Sequence, residues 1–273
     1  MRSLYTEIST LIGATDYALV PMGDLTYEAA NHLTVVTVGG AAGNNLTFTY
    51  SEASTAFDTT LSYRRGPYRL PVLGFNGVDE RLTTPDAAFW SSTADGTAPN
   101  EPALSWSFWL KPRSTAQGVV MVKGNNVGAT TVGEWVIWLN FTSALVIARM
   151  IDDSADAFIG RNAPYNTNNN VYNHIAVTYS GSALASGVKI YLNGKQVDNA
   201  NSTSGTYTAM ENTAATVSIG AENDGASWYT GSLAGGPAGP LFIQKALTLA
   251  EVQQLYEIGC EALCPTGRRH RLA

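Results

Sequence analysis

Between Val171 and Val197 the chain reads as two alternating strands and then a third, with Asn193-Gly194 at the last reversal. Asn-Gly between alternating strands demands a tight hairpin, because both central residues of a type I′ turn need φ > 0. A chain with this segment at its heart is built from antiparallel strands. The rest of the sequence agrees. Leu104, Trp106, Phe108 and Leu110 alternate with Ser105, Ser107, Trp109 and Lys111, giving one apolar and one mixed face. Runs at 119–122, 134–141 and 144–151 follow, and the 134–141 run is apolar on both faces, as a central strand with a covered outer face requires. Roughly a dozen short strands with turn signals about 8–12 residues apart predict an all-β sandwich or jelly roll.

Two helices are predicted at the ends. Leu4, Ile8, Leu11 and Ile12 lie at helical spacing before Gly13. Thr248-Leu249-Ala250-Glu251 is a capping box, Val252, Leu255 and Tyr256 form an apolar stripe, and Gly259 reads as the stop. Residues 17–22, 33–38 and 46–50 read as early strands, with a Gly/Ala turn at 39–43. Residues 51–70 read as irregular, with a basic cluster at Arg64, Arg65 and Arg69. The expected organisation is a helical segment at 1–16, a jelly roll at 17–259 and a basic tail at 260–273.

Composition narrows the partners. Charged residues make up 14% of the chain and hydrophobic ones 45%, which suits a turn-rich sandwich. Sixteen basic against twenty-two acidic residues give a net charge of −6, so the body has no electrostatic reason to bind nucleic acid. No run approaches the roughly 20 apolar residues of a membrane span, so no membrane insertion is expected. The two cysteines, Cys260 and Cys264, both lie in the tail, so no disulfide network holds the sandwich. With His270 they are too sparse for a zinc site; free thiols and interchain links both stay open.

The strand segment also resembles a family. His174, Ala176, Val177, Thr178, Tyr179 and Gly181, then Tyr191, Leu192, Asn193 and Gly194, are similar to the "W-x-H-V-A-V-T-Y-D-G" and "L-Y-V-N-G" runs of laminin-G-like, concanavalin A-type jelly rolls. Tyr172 stands in place of the usual Trp. A second block, Leu73 to Glu80, resembles "L-x-F-D-G-V-D-D-Y-V", with Asn76 and Glu80 replacing acids and Arg81-Leu82 replacing the aromatic-valine pair. A third keeps Gly235, Ala246, Leu247, Thr248, Glu251, Val252, Leu255 and Tyr256, while Pro237, Ala238 and Gly239 occupy the family's acidic stretch. The likeness covers 70–258, roughly two thirds of the chain, and implies a concanavalin A-like β-sandwich. The opening around Leu4, Tyr5 and Tyr17 is similar to phage structural proteins of this class. A fold of extracellular habit that starts at Met1 without an export signal is expected of a virion protein made in the host cytoplasm. The alternative is a lectin-like carbohydrate-binding module of a bacterial surface or secreted protein, extracellular or at the cell surface.

The resemblance covers lectins, glycanases and structural proteins, so the site residues must decide. Retaining glycanases need two carboxyl groups roughly 5–5.5 Å apart, which E-x-D-x-E on one strand supplies. Here Glu222-Asn223-Asp224 stops at Gly225 without a third acid and reads as a solvated turn. The three histidines suggest no triad, so no enzyme is expected. Sugar binding needs exposed aromatic faces beside amides or carboxylates; Trp228 and Tyr229 with Asn223 and Asp224 form one such cluster, and Tyr165 with the asparagines of 166–170 a second. Calcium would need six to eight oxygens, and Asp79, Asp152, Asp153 and Asp156 are the candidate donors, although a polar hairpin explains the last three as well. Arg268, Arg269 and Arg271 are candidate assembly contacts to an acidic neighbouring subunit. The expected partners are capsid or tail subunits of a virion, or further copies of the chain, with surface glycans as ligand.

Overall fold

The computed structural model describes residues 4–13, 16–21, 26–28, 32–39, 46–51, 63–65, 71–91, 94, 96–97, 101–113, 117–125, 132–165, 171–224 and 227–263. Helix α1 (Leu4–Ile12) precedes β1 (Tyr17–Leu19), β2 (Thr26–Glu28), β3 (His32–Val36), β4 (Val38–Gly39) and β5 (Thr47–Ser51). Then come β6 (Tyr63–Arg65), β7 (Pro71–Asn76), β8 (Arg81–Thr84) and the one-turn helix α2 (Ala88–Ser91). The long strands follow: β9 (Leu104–Pro112), β10 (Gly118–Asn125), β11 (Val132–Asn140), β12 (Leu145–Asp152), β13 (Ala157–Pro164) and β14 (Asn173–Tyr179). Last are β15 (Val188–Leu192), β16 (Lys195–Gln196), β17 (Ala200–Asn201), β18 (Val217–Ile219), β19 (Thr230–Ala234), β20 (Leu241–Ile243) and α3 (Leu249–Leu263).

Two antiparallel sheets stack face to face. The first runs β16-β15-β14-β9-β19-β7-β6, with β20 also on β9, β1 on β20 and β4 on β1. The second runs β17-β13-β12-β11-β10-β18-β8-β5-β3-β2. Between them the apolar sides of β9 and β11 meet: Trp106, Phe108 and Leu110 against Trp135, Ile137 and Leu139, all buried. Trp106 and Trp135 lie 5.2 Å apart between ring centroids, and Phe242 stacks on Trp135 at 5.6 Å. Asn193 (φ 50°) and Gly194 (φ 75°) make the predicted hairpin between β15 and β16. Tyr63–Arg65, expected to be irregular, is instead a strand on β7 at the sheet's edge. The turn at 40–43 and residues 66–70 lie outside the described residues.

Helix α3 covers the outer face of the first sheet. Val252 and Leu255 pack with Ala176, Tyr191, Leu241 and Ile243, and α1 adds Ile8 and Ile12 to the same cluster. Its start is the capping box: Thr248 N donates to Glu251 Oε2 at 2.7 Å and Glu251 N to Thr248 Oγ1 at 3.3 Å. The end differs from expectation, because the helix runs through Gly259 to Leu263. Gly259 is a contact residue rather than a stop. A Cβ there would sit 1.9 Å from Trp109 Nε1, and that indole is fixed by stacking on Tyr256 at 5.4 Å. Alanine for glycine inside a helix ordinarily stabilises by about 1 kcal/mol. Here Gly259→Ala should reverse that sign and cost about 1–3 kcal/mol through overpacking, read as a lower urea midpoint. A raised midpoint would show that α3 does not bear on Trp109.

Candidate functional site

The β7–β8 hairpin and the β12–β13 turn, which carry the calcium candidates, fall at opposite ends of the second sheet. Its antiparallel path β8-β18-β10-β11-β12 puts the start of β8 at one end and the close of β12 at the other. The first end carries the β7–β8 hairpin. Asn76 Oδ1 accepts from Val78 N at 2.8 Å and Asp79 N at 3.2 Å, and Asn76 Nδ2 donates to Asp79 Oδ1 at 2.7 Å. The carboxylate of Glu80 accepts from Asn76 N. This is asparagine turn chemistry, and it leaves Val78 as an apolar tip, 67% exposed.

Arg81 opens β8 and gathers the loop after β18. Its Nη1 donates to Glu222 O and Asn223 O, each at 2.9 Å, and its guanidinium lies 5.7 Å from the Trp228 ring centroid. Asn223 Nδ2 donates to Thr216 O at 2.6 Å and Gly124 O at 3.0 Å, so the loop reaches back from Arg81 to the start of β18 and the close of β10. Asp224 is exposed and Trp228 partly so, whereas Glu222 is 5% exposed. The expected solvated turn is thus a loop anchored on the sheet, with one acid turned in and one turned out.

Two of the predicted stacking residues belong to the core. Tyr229 is fully buried, packs edge-on against Phe75 at 5.8 Å, and burial pushes its phenol well up. Tyr165 is buried against Phe141, and desolvation raises its phenol likewise. Neither ring offers a face to a ligand. Residues 166–170 lie outside the described residues, as do Cys264 and the tail arginines Arg268, Arg269 and Arg271. Of the first cluster, Trp228, Asp224 and Asn223 stay together, joined by Arg81, which sequence reasoning had passed over as a departure from the family pattern.

At the other end, Asp152, Asp153 and Asp156 form the β12–β13 turn. Asp152 Oδ2 accepts from Thr208 N at 2.7 Å and Ala209 N at 3.3 Å, while its Oδ1 accepts from Ala155 N at 3.2 Å. Asp153 Oδ1 accepts from Gly133 N at 3.1 Å. Two further acids treat the same strap alike. Glu101 Oε1 accepts from Met210 N at 2.6 Å, and Glu134 Oε1 from Thr213 N at 2.7 Å. Burial holds both Glu101 and Glu134 above the usual carboxylate range. Residues 208–213, which carry no strand of their own, are thereby tied to three points of the sandwich. Among the described residues no group of three or more His, Cys, Asp or Glu side chains is placed to share a metal ion. Asp79 lies at the far end of the sheet from the other calcium candidates.

Beside the strap is an ionic cluster absent from the sequence reading. Lys123 Nζ lies 2.6 Å from Glu134 Oε1 and 2.7 Å from Asp86 Oδ1, and it donates to Thr213 O at 2.6 Å. Lys123 and Glu134 have no solvent exposure. Ser91 Oγ donates to Glu134 Oε1 at 3.0 Å. The signal in the sequence is one charge inside each of two apolar runs, at 119–124 and 133–139.

The outer face of the second sheet adds a third charged group. Arg149 lies 3.9 Å from the Phe158 centroid and 4.5 Å from that of Trp138, and burial pulls its pKa down to about 10. No helix among the described residues is long and apolar enough to cross a membrane.

Comparison with known proteins agrees with this architecture. The model of the concanavalin A-like lectin/glucanase superfamily matches residues 78–253. No curated protein sequence matches the chain. Among solved structures, the binding domain of botulinum neurotoxin serotype D superposes with a TM-score of 0.54 at 11% identity, covering 92% of this chain and 52% of that one. A botulinum type C toxin structure gives 0.51 at 14% identity, covering 92% and 52%. A sialidase of Trypanosoma rangeli gives 0.50 at 9% identity, covering 93% and 38%. The chain spans about half the length of the toxin domains, and at these identities the likeness is one of fold. With a family match over 78–253 and a two-sheet sandwich beneath it, the chain belongs to the concanavalin A-like lectin/glucanase superfamily.

Proposed function

We propose that this chain is a non-enzymatic, lectin-like display module of a phage virion, on capsid or tail, that meets surface glycans at the Trp228 rim. The observation that carries the glycan reading is the grouping of partly exposed Trp228, exposed Asp224 and Arg81 around one pinned loop. An indole face takes the C–H side of a sugar ring, and charged groups beside it take hydroxyls. Botulinum neurotoxin type C, similar in fold, depends on two ganglioside molecules to get into cells, which makes gangliosides a reasonable first probe set. The non-enzymatic reading draws on how the acids are used. Asp152, Glu101 and Glu134 hold backbone N–H groups, and Glu222 and Asp224 point to opposite environments instead of sharing a strand face. Attachment to neighbouring subunits is assigned to α1 and to Arg268, Arg269 and Arg271, with calcium at Asp152, Asp153 and Asp156 as a test condition.

A glycan array probed with and without calcium tests the ligand. Trp228→Ala should weaken the recognised glycan by about tenfold or more while leaving the far-ultraviolet spectrum intact. A blank array in both conditions would sink the lectin reading. Mass spectrometry of purified particles tests the setting: several symmetry-related copies support the virion role, and a monomer found apart from any particle counts against it.

A further inference from the structure

We propose that Lys123 and Asp86 condense to an intramolecular isopeptide bond, with Glu134 carrying the proton. The register creates the encounter. Val217 of β18 pairs with Thr84 on one side and with Lys123 on the other, so the residues just past β8 and the end of β10 flank the same point of the sheet. Asp86, two residues beyond Thr84, meets Lys123 there, Oδ1 to Nζ at 2.7 Å. Such contact supplies the proximity that turns a slow bimolecular amide condensation into an intramolecular one.

The surroundings supply the rest. Trp135 faces Lys123 in the β10–β11 register, and its fully buried indole donates from Nε1 to Trp90 O at 3.3 Å. Amide formation starts from the neutral pair of amine and carboxylic acid, not from the ion pair, because only the neutral amine carries a free lone pair. One proton passing from Nζ to the Asp86 carboxylate gives that neutral pair. The Nζ lone pair then forms the C–N bond to Asp86 Cγ. One N–H proton goes to Glu134 Oε1, 2.6 Å from Nζ, and Glu134 returns a proton to the Asp86 oxygen that leaves as water. The C–O bond breaks, Glu134 ends as it began, and no oxidant or reductant is required. The amide N–H that remains has its acceptor in place, since Thr213 O already takes a hydrogen bond from Nζ at 2.6 Å.

Two further features fit this role. Glu134 is held by Ser91 Oγ and Thr213 N on Oε1, while its buried Oε2 has no hydrogen-bond partner among the described residues. Burial also keeps its carboxyl easier to protonate than usual, as a proton carrier near neutral pH needs. Asp86 keeps 31% of its side chain in solvent, which gives the released water an exit. The bond would staple the close of β8 to β10 across β18.

Intact mass of the purified full chain decides the matter without any variant. The wild-type chain should weigh less than its sequence by one water, and digestion should yield one peptide pair joined between Asp86 and Lys123. Lys123→Arg, which keeps the charge but not the nucleophile, and Glu134→Gln, which keeps the shape but not the proton, should both restore the full sequence mass. A wild-type chain at full mass overturns the proposal, as does a junction at any other residue or a Glu134→Gln chain that still loses water.

Discussion

Asp152→Ala should destabilise the domain by about 3–5 kcal/mol, by the same amount in calcium and in chelator, read as a fall in the urea midpoint. The carboxylate accepts three backbone N–H groups, two from the strap at Thr208 and Ala209 and one from its own turn at Ala155. Asp152 is 2% exposed, so water cannot replace it at little cost. Each buried donor left without an acceptor costs about 1–3 kcal/mol. Asp152→Asn keeps one carbonyl oxygen and should recover part of the loss. Calcium separates this anchoring role from the metal-binding one. If Asp152 holds a cation, the wild type should gain stability on adding calcium and match Asp152→Ala in chelator; that pattern would overturn the anchor reading.

Tertiary context decided which parts of this protein were legible in its sequence. Asn193-Gly194 could be read because a type I′ turn is set by two residues and needs no distant partner. The alternation of Leu104 to Leu110 was readable for the same reason, since pleating fixes which side chains share a face. Gly259 misled because a glycine after an apolar stripe is the usual helix stop, and only the indole of Trp109, 150 positions earlier, explains a glycine inside the helix. Tyr229 and Trp228 are neighbours of similar character, and nothing local says that Tyr229 turns in to Phe75 while Trp228 turns out to Arg81. The acids were the least legible. Asp152 in a polar turn looks like a cation ligand, and its true partners are backbone N–H groups 56 and 57 residues away. Lys123 and Glu134 gave a signal, a lone charge in an apolar strand, whose meaning depends on the register that brings Asp86 to the same place.

Lowering the pH from 7 to 4 should expose His174 as the largest single acid-sensitive group of the fold. His174 comes from the strand motif, but its position under α3 gives it its physical role. The ring is fully buried between Trp109 at 5.3 Å and Tyr256 at 5.8 Å, with Nε2 2.9 Å from Ser107 Oγ. Among the described residues no carboxylate balances a charge there, and desolvation pushes its pKa down to about 3. In the unfolded chain it returns to about 6.5, so below that pH the unfolded state binds the extra proton and unfolding is favoured. Stability from this group is therefore complete above about pH 6.5 and falls by about 1.4 kcal/mol per pH unit, roughly 3 kcal/mol by pH 4. Glu101 and Glu134 act in the opposite sense. Their raised folded pKa values give a contribution that is complete below about pH 4.5 and is lost as pH rises through those folded values. The wild-type profile thus mixes the two, and the difference from a neutral variant isolates the histidine. His174→Gln places an amide where Nε2 meets Ser107 and cannot gain a proton. It should cost stability at pH 7 through imperfect packing, yet approach or overtake the wild type by pH 4 in urea unfolding. Parallel profiles for the two proteins across this range would mean that His174 is solvated or paired when it charges, and that α3 does not seal it.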